Sequence, residues 1–155
     1  MMTGTLRTVL TGGIVAVLAA VVFSASVVHE FLAINAPLQA NILVVEGWAW
    51  ESAAMQEAAR EFHRGGYDLV VSVGIRSPAR ESGPMQRNAA ESAAKRLKEF
   101  GLDDRAIKVL AVSNIDRHRT YASALAVKHW LADAKIHVVG INVFTLGAHA
   151  RKSLV

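Results

Sequence analysis

Cysteine is absent from this 155-residue chain, which excludes disulfides, thiolate zinc sites and a cysteine nucleophile. The sequence also lacks a basic run interleaved with aromatic residues, and its net charge of +4 is too small to argue for nucleic acid as a partner. Its histidines show no metal-ligand spacing, and neither a GxGxxG fingerprint nor a Walker loop is present. With 52% hydrophobic and 19% charged residues, the composition indicates a packed domain with an appendage. We therefore predict no metal site, and the sequence indicates no particular cofactor.

Charge is missing from a long apolar run near the N-terminus, Thr8 to Val28. About 20 such residues span the hydrocarbon core of a bilayer. Arg7 precedes the run and the next Lys or Arg is Arg60, so the positive-inside bias predicts a cytoplasmic N-terminus and an extracytoplasmic domain. This favours a single-pass anchor in the inner (plasma) membrane. The alternatives are a signal peptide cleaved at Ser24-Ala25-Ser26 and an apolar core helix.

The remaining chain alternates short apolar runs with helical patterns. We predict an anchor or signal peptide at residues 1–28, a linker at 29–40 and a domain at 41–155. Strands are expected at residues 41–46, 68–74, 106–112 and 137–144, and helices at 51–64, 86–100 and 119–134. This alternation predicts an α/β fold with a three-layer, Rossmann-like, mostly parallel sheet. A further helix begins after the fourth strand, and we expect the domain to be incomplete at its C-terminus.

Polar residues follow the predicted strands, and the carboxyl ends of parallel strands meet at one edge of a sheet. Glu46 ends the first strand, where a carboxylate can serve as a general base, a metal ligand or an acceptor for a ligand hydroxyl. The structural alternatives for Glu46 are an ion pair with Arg117 or Arg119 and an N-cap for the next helix.

Small and aromatic residues stand at the same strand ends. Gly47 and Gly74 either let the backbone approach a ligand closely or supply a turn with positive φ. Trp48 and Trp50 either stack on a base or sugar ring or pack in the core or at a membrane interface.

Two cationic clusters stand beside predicted helix starts, and both favour an anion. Residues 116–121 contain Arg119 and Thr120, with Thr120 as the expected N-cap, and the alternative is a solvated loop with Arg117 paired to Asp116. The second cluster contains His149 and Arg151 in a first helical turn, where a cation opposes the helix dipole unless an anion lies between. His149 could protonate a leaving group or bind an anionic ligand directly.

Five sequence blocks together resemble the YdcF-like domain family, which includes envelope proteins of the SanA and ElyC types. They are residues 42–47, 64–71, 91–101, 119–124 and 145–151, and the resemblance covers about residues 41–155. It implies a Rossmann-like domain with an enzymatic or ligand-binding site at the strand exits, and a role in envelope integrity and peptidoglycan precursor metabolism. The chain departs from the family at its first exit, where Glu46-Gly47 replaces Gly-Gly, and relatives continue for several dozen residues.

Two functions are consistent with these features. The first is a membrane-anchored extracytoplasmic domain that binds, and acts on, an anionic envelope metabolite such as a phosphosugar or a lipid-linked peptidoglycan precursor. The second is a non-catalytic scaffold for a nucleotide-like cofactor in envelope maintenance. The candidate catalytic residues are Glu46 and His149. The candidate ligand-binding residues, several of them implied by the resemblance, are Gly47, Gly74, Glu91, Arg119, Thr120, Thr145 and Arg151.

Overall fold

The N-terminal apolar run forms one long helix. The computed structural model describes residues 2–49, 51–76, 88–113 and 117–153. Helix α1 spans Met2–Leu32, and its 25-residue part Thr8–Leu32 has no buried residues and is long and apolar enough to cross a membrane. At 1.5 Å per residue it extends about 37 Å, more than the roughly 30 Å of a bilayer core. The helix includes residues 29–32, which the sequence assigned to a linker: the polar residues His29 and Glu30 do not end it, and Phe31 and Leu32 follow them within it.

The domain is an α/β fold built on a four-stranded sheet in which all strands are parallel. Its strands are β1 Ile42–Glu46, β2 Leu69–Ile75, β3 Ile107–Val112 and β4 Ile141–Phe144. Its helices are α2 Ser52–Gly65, α3 Ala89–Glu99, α4 Arg119–Ala134 and α5 His149–Ser153, with 3-10 turns at Gly47–Ala49 and Asp104–Ala106. The strand order is β3-β2-β1-β4, so β1 is central. The predicted alternation of strands and helices is confirmed.

Helices cover both faces of the sheet, and the apolar side chains of β1 point alternately to one face and to the other. Leu43 and Val45 face a core formed with α2 and α3, whereas Ile42 and Val44 face a second core formed with α4. Successive strand residues point to opposite faces, so a strand buried on both sides needs an unbroken apolar run. Small residues let α2 and α3 approach closely; those buried are Ala54, Ala58, Ala59, Ala90, Ala93 and Ala94.

The fourth strand differs from its prediction in length and in burial. It begins at Ile141 rather than at residue 137, and its Ile141 and Val143 are 39% and 41% exposed. Within the described chain, only β1 pairs with β4, so its outer edge is open. Residues 137–139 are held instead by Asn41, which donates to the His137 carbonyl and accepts from the Val139 amide, both at 2.9 Å.

Candidate functional site

The ends of β1 and β4 enclose the crevice of this sheet. The chain runs from β1 outward through β2 to β3, then returns across β1 to form β4 on the other side. Such a reversal opens a crevice beyond the carboxyl ends of the two strands, where open α/β sheets bind their ligands. Glu46 is the last residue of β1, and Thr145 directly follows β4. The topology therefore brings two of the predicted site residues to the position most suited to a ligand.

Glu46 is buried here, with only 8% of its surface exposed, and it is held by neutral donors. Its Oε2 accepts hydrogen bonds from Trp48 Nε1 at 2.9 Å and from the Thr145 hydroxyl. Its Oε1 accepts a bond of 3.0 Å from Ser153 Oγ. No cation pairs with this carboxylate among the residues that the structure describes, so the structural alternative of an ion pair with Arg117 or Arg119 does not hold. The hydrogen bonds satisfy both carboxylate oxygens and fix their orientation.

Trp48 connects this carboxylate to His149. The two rings lie 4.5 Å apart between centroids, inclined by 44°. Trp48 remains 43% exposed, which leaves ring surface available to a ligand. His149 is exposed and begins α5, as the sequence predicts. The carboxylate, the indole and the imidazole therefore form one contiguous cluster at the β1–β4 edge, whereas Trp50 lies outside the described residues.

Arg151 contacts the membrane helix rather than the Glu46 cluster. Its Nη1 donates to the Phe31 carbonyl oxygen at 2.9 Å, and its guanidinium carbon lies 3.7 Å from the centroid of the Phe31 ring. Phe31 is in the last turn of α1, where the helix dipole attracts a cation. Helix α5 is thus bound to the end of α1 through Arg151 and to the end of β1 through Ser153.

Arg119 and Thr120 lie elsewhere along the edge. They begin α4, which follows β3, and β3 is two strands from β1, or about 10 Å. The N-cap is His118, with φ at 56° and no side-chain cap, so the prediction that Thr120 is the N-cap is wrong. In the described chain no hydrogen bond, ion pair or ring contact joins Arg119 or Thr120 to Glu46 or His149. Asp116, the alternative partner of Arg117, lies outside the described residues.

The two predicted glycines serve a close approach between elements. A Cβ on Gly47 would lie 2.7 Å from the Ala89 carbonyl carbon, and a Cβ on Gly74 would lie 2.9 Å from the Ala90 amide nitrogen. Neither glycine has a positive φ, so the turn alternative is wrong for both. They let the first turn of α3 rest on the ends of β1 and β2.

Glu91 also lies in the first turn of α3. Its carboxylate faces Arg76 at 3.7 Å, with both side chains exposed. Its amide donates to the N-cap residue Asn88 at 3.3 Å. The structure thus gives Glu91 a surface ion pair at the end of β2.

Ser153 is the cluster residue that the sequence did not single out. The available signal was its position four residues after His149, which places the two on one side of a helix. Phe31 carried no signal, because its contact with Arg151 joins residues 120 positions apart.

No group of three His, Asp or Glu residues suited to a metal ion occurs in the described ranges. Comparisons with protein-family models, with curated proteins and with solved structures found no match to this chain.

Proposed function

We propose that this chain is a membrane-anchored, extracytoplasmic member of the YdcF-like domain family. On this proposal its Rossmann-like, three-layer domain binds an anionic cell-envelope metabolite, such as a phosphosugar or a lipid-linked peptidoglycan precursor, and acts on it. The order β3-β2-β1-β4 supports the fold assignment, since the doubly wound nucleotide-binding sheet has the same order in its first four strands. Helix α1 supports the anchor, and the spacing of Arg7 and Arg60 supports the orientation in the inner membrane.

The observation that carries the proposal is the buried Glu46 carboxylate at the crevice, linked through Trp48 to an exposed His149. A carboxylate in a fixed orientation is suited to accept a hydrogen bond from a ligand hydroxyl or to take up a proton. An accessible imidazole can hydrogen-bond a phosphate or protonate a leaving group. The exposed face of Trp48 offers a surface for a sugar ring or a base.

One observation favours the second candidate, a non-catalytic scaffold for a nucleotide-like cofactor. Both oxygens of Glu46 already accept bonds from protein donors, so the carboxylate has a sufficient structural role. In that case Glu46 holds Trp48, Thr145 and Ser153 in place. The ligand then contacts Trp48 and His149 alone.

Calorimetric titration of the full chain in nanodiscs with glucose 1-phosphate tests binding. We expect His149→Ala to weaken affinity about tenfold, because a hydrogen bond to a charged group contributes roughly 1.5 kcal/mol. The matched control is His129→Ala, since His129 is exposed on α4. Equal affinity in wild type and His149→Ala would remove His149 from the site.

Conversion of the same probe, followed by phosphorus NMR, separates the two candidates. An enzyme that uses Glu46 for proton transfer loses turnover in Glu46→Gln while still binding the probe. If the protein is a scaffold, both the wild type and Glu46→Gln bind the probe, and neither converts it.

A further inference from the structure

The outer edge of β4 presents backbone groups without partners. On its inner side, the Gly140 carbonyl accepts a bond of 3.3 Å from the Ile42 amide of β1. Alternate residues of a parallel strand direct their backbone groups to the same neighbour, so residues 140, 142 and 144 face β1. The N–H and C=O groups of Ile141 and Val143 point the other way, and within the described chain they have no hydrogen-bond partner.

The side chains of the same two residues are apolar and half-exposed. Ile141 and Val143 are in register with Ile42 and Val44, which belong to the core on the α4 side, so all four lie on that face of the sheet. Helix α4 packs mainly over β2 and β3, which leaves Ile141 and Val143 exposed to 39% and 41%. The edge therefore combines free backbone groups with uncovered apolar surface.

The opposite edge of the sheet carries a charge where β4 carries none. Lys108 of β3 lies over the Trp130 ring of α4, with Nζ 5.7 Å from the ring centroid. A lysine on an edge strand is one of the devices that keep sheets from pairing edge to edge. Residues Ile141–Phe144 contain no charge and no proline, and their ladder with β1 runs without a bulge. By this comparison, β4 is the edge suited to accept another strand.

The β4 strand of a second copy fits this edge. In an antiparallel pair centred on Asn142, Ile141 of each copy lies opposite Val143 of the other. These are the residues whose backbone groups point outward, so each opposing pair forms two hydrogen bonds and every free group of the edge is satisfied. Their side chains meet on one face, where directly opposed apolar residues stabilise a strand pair.

The position of the anchor favours a second copy as the partner. Residues 33–38, which follow α1, lie on the α2 side of the sheet, because Leu38 bonds the Asn142 side chain, which also bonds the hydroxyl of Tyr67 in the α2 core. An antiparallel β4–β4 pair has its two-fold axis perpendicular to the sheet, so the α2 sides of both copies face the same way. Both α1 helices then leave the pair on one side, as two anchors in one membrane require.

The shared membrane also compensates for the small size of this interface. A stable interface in solution buries at least about 1,200 Å² in total, more than a pair of four-residue strands provides. Two copies confined to one membrane meet at a high effective concentration, so a smaller contact is sufficient.

We propose that β4 is a homodimer interface, through which two membrane-anchored copies join their sheets by antiparallel pairs of Ile141 with Val143. The inference rests on the membrane anchor of the proposed function and is independent of the ligand at the Glu46 cluster.

Disulfide crosslinking tests the register, because the chain has no cysteine of its own. Ile141→Cys and Val143→Cys are prepared as separate full-length proteins and reconstituted, alone or mixed, in phosphatidylcholine vesicles. In the proposed pair the two different positions lie about 5.5 Å apart between Cα atoms, within the range of a disulfide. Identical positions in the two copies lie about 8 Å apart, which is too far. After mild oxidation we expect about fivefold more dimer in the mixture than in either protein alone.

The matched control is Ala111→Cys, since Ala111 is exposed on β3 at the other edge of the sheet. It should form no more dimer than random collisions produce. A mixture that crosslinks no better than its two components would overturn the proposal, and so would equal crosslinking by Ala111→Cys.

A charge placed on the β4 edge gives an independent measurement. Val143→Lys introduces the protection that Lys108 gives to β3, at a side chain already 41% exposed, so the domain should remain folded. Single-molecule photobleaching of the N-terminally labelled chain in vesicles counts the copies, and we expect the dimer fraction to fall about fivefold. Ala111→Lys adds the same charge to β3 and should leave the fraction unchanged. A monomeric wild type, or a dimer that Val143→Lys leaves intact, would overturn the proposal.

The same samples separate this inference from the proposed function. If the crosslink is absent while glucose 1-phosphate still binds through His149, the ligand proposal survives and this inference fails. Dimers that bind no glucose 1-phosphate give the opposite result. A chain that does not float with the vesicles lacks the anchor and contradicts both proposals.

Discussion

Ser153 in α5 donates a hydrogen bond of 3.0 Å to Oε1 of Glu46 at the end of β1, although 107 residues separate them. The same short helix binds the end of α1 through Arg151. A five-residue helix has little stability of its own, so these two side-chain contacts and the ring contact of His149 with Trp48 hold α5 in place. The geometry of the candidate site thus depends on contacts made by a single helical turn.

Ser153→Ala should destabilise the domain by about 1–2 kcal/mol, because a buried carboxylate oxygen loses its donor. Chemical denaturation of the full chain in detergent micelles measures this change. Ser52→Ala is the matched control, since Ser52 is exposed at the start of α2 and its replacement should change stability by no more than about 0.5 kcal/mol. Equal effects of the two substitutions would show that the Ser153 bond contributes no measurable stability.

Gly47→Ala should destabilise the fold by about 1–3 kcal/mol through overpacking. The added methyl group would lie 2.7 Å from the Ala89 carbonyl carbon and 2.9 Å from the Ala90 amide nitrogen, and these are backbone atoms that cannot rotate away. Thermal unfolding should show a loss of several degrees. The same substitution at Gly12 of α1 meets nothing within 4 Å and is expected to be neutral or slightly stabilising. A Gly47→Ala protein that melts like wild type would mean that α3 can move away from β1 at little cost.

The sequence was sufficient for the central elements of the fold and for part of the site. An unbroken apolar run such as β1, placed between helical patterns, predicts a buried strand of a parallel sheet. Because the carboxyl ends of parallel strands lie at one edge of the sheet, Glu46 and Thr145 come together there. The edge strand β4 was predicted too long because apolar composition does not reveal whether a neighbouring strand exists. The contact of Arg151 with Phe31 could not be predicted, because it joins two separate parts of the chain through a single side chain.

The order of the strands separates the two cationic clusters that were expected to meet at one edge of the sheet. Cations at Arg119 and Arg151 both follow strands, which placed them at one edge. Their separation depends on the order of the strands within the sheet, and periodicity carries no information about that order. With β3 and β4 at opposite ends of the sheet, the two arginines cannot share an anion unless it spans the whole edge.

Asn142→Ala should release residues 33–38, the segment that connects α1 to the domain. The side chain of Asn142 accepts from the Leu38 amide at 3.0 Å through Oδ1 and donates to the Leu38 carbonyl at 2.8 Å through Nδ2, and these two bonds hold Leu38 beside β4. Losing these bonds, at about 1 kcal/mol each, should raise the rate of limited proteolysis near residues 33–38 roughly 30-fold. The control is Asn35→Ala, an exposed change in the same segment. Unchanged cleavage in Asn142→Ala would show that residues 33–38 are held by other contacts.

The domain should lose stability in alkaline solution as the buried hydroxyl of Tyr67 ionises. Burial raises the pKa of its hydroxyl above the ordinary value, and the neighbouring Glu61 raises it further through a hydrogen bond and its charge, against a lowering bond from Asn142. Above about pH 10 the unfolded chain loses this proton more readily than the folded protein does. The contribution of Tyr67 is therefore complete below about pH 10 and is lost as the pH rises through the higher pKa of the folded state.

Urea unfolding of the full chain in micelles at about pH 9 and about pH 11 measures this loss. Wild type should lose more stability across the interval than Tyr67→Phe, with a slope difference of at most about 1.4 kcal/mol per pH unit, the limit for one proton. Other groups that titrate in this range are common to both proteins and cancel in the comparison. Tyr121→Phe is the control, because Tyr121 is 69% exposed and its removal should leave the wild-type slope. Parallel slopes for wild type and Tyr67→Phe would mean that the Tyr67 hydroxyl titrates alike in the folded and unfolded states.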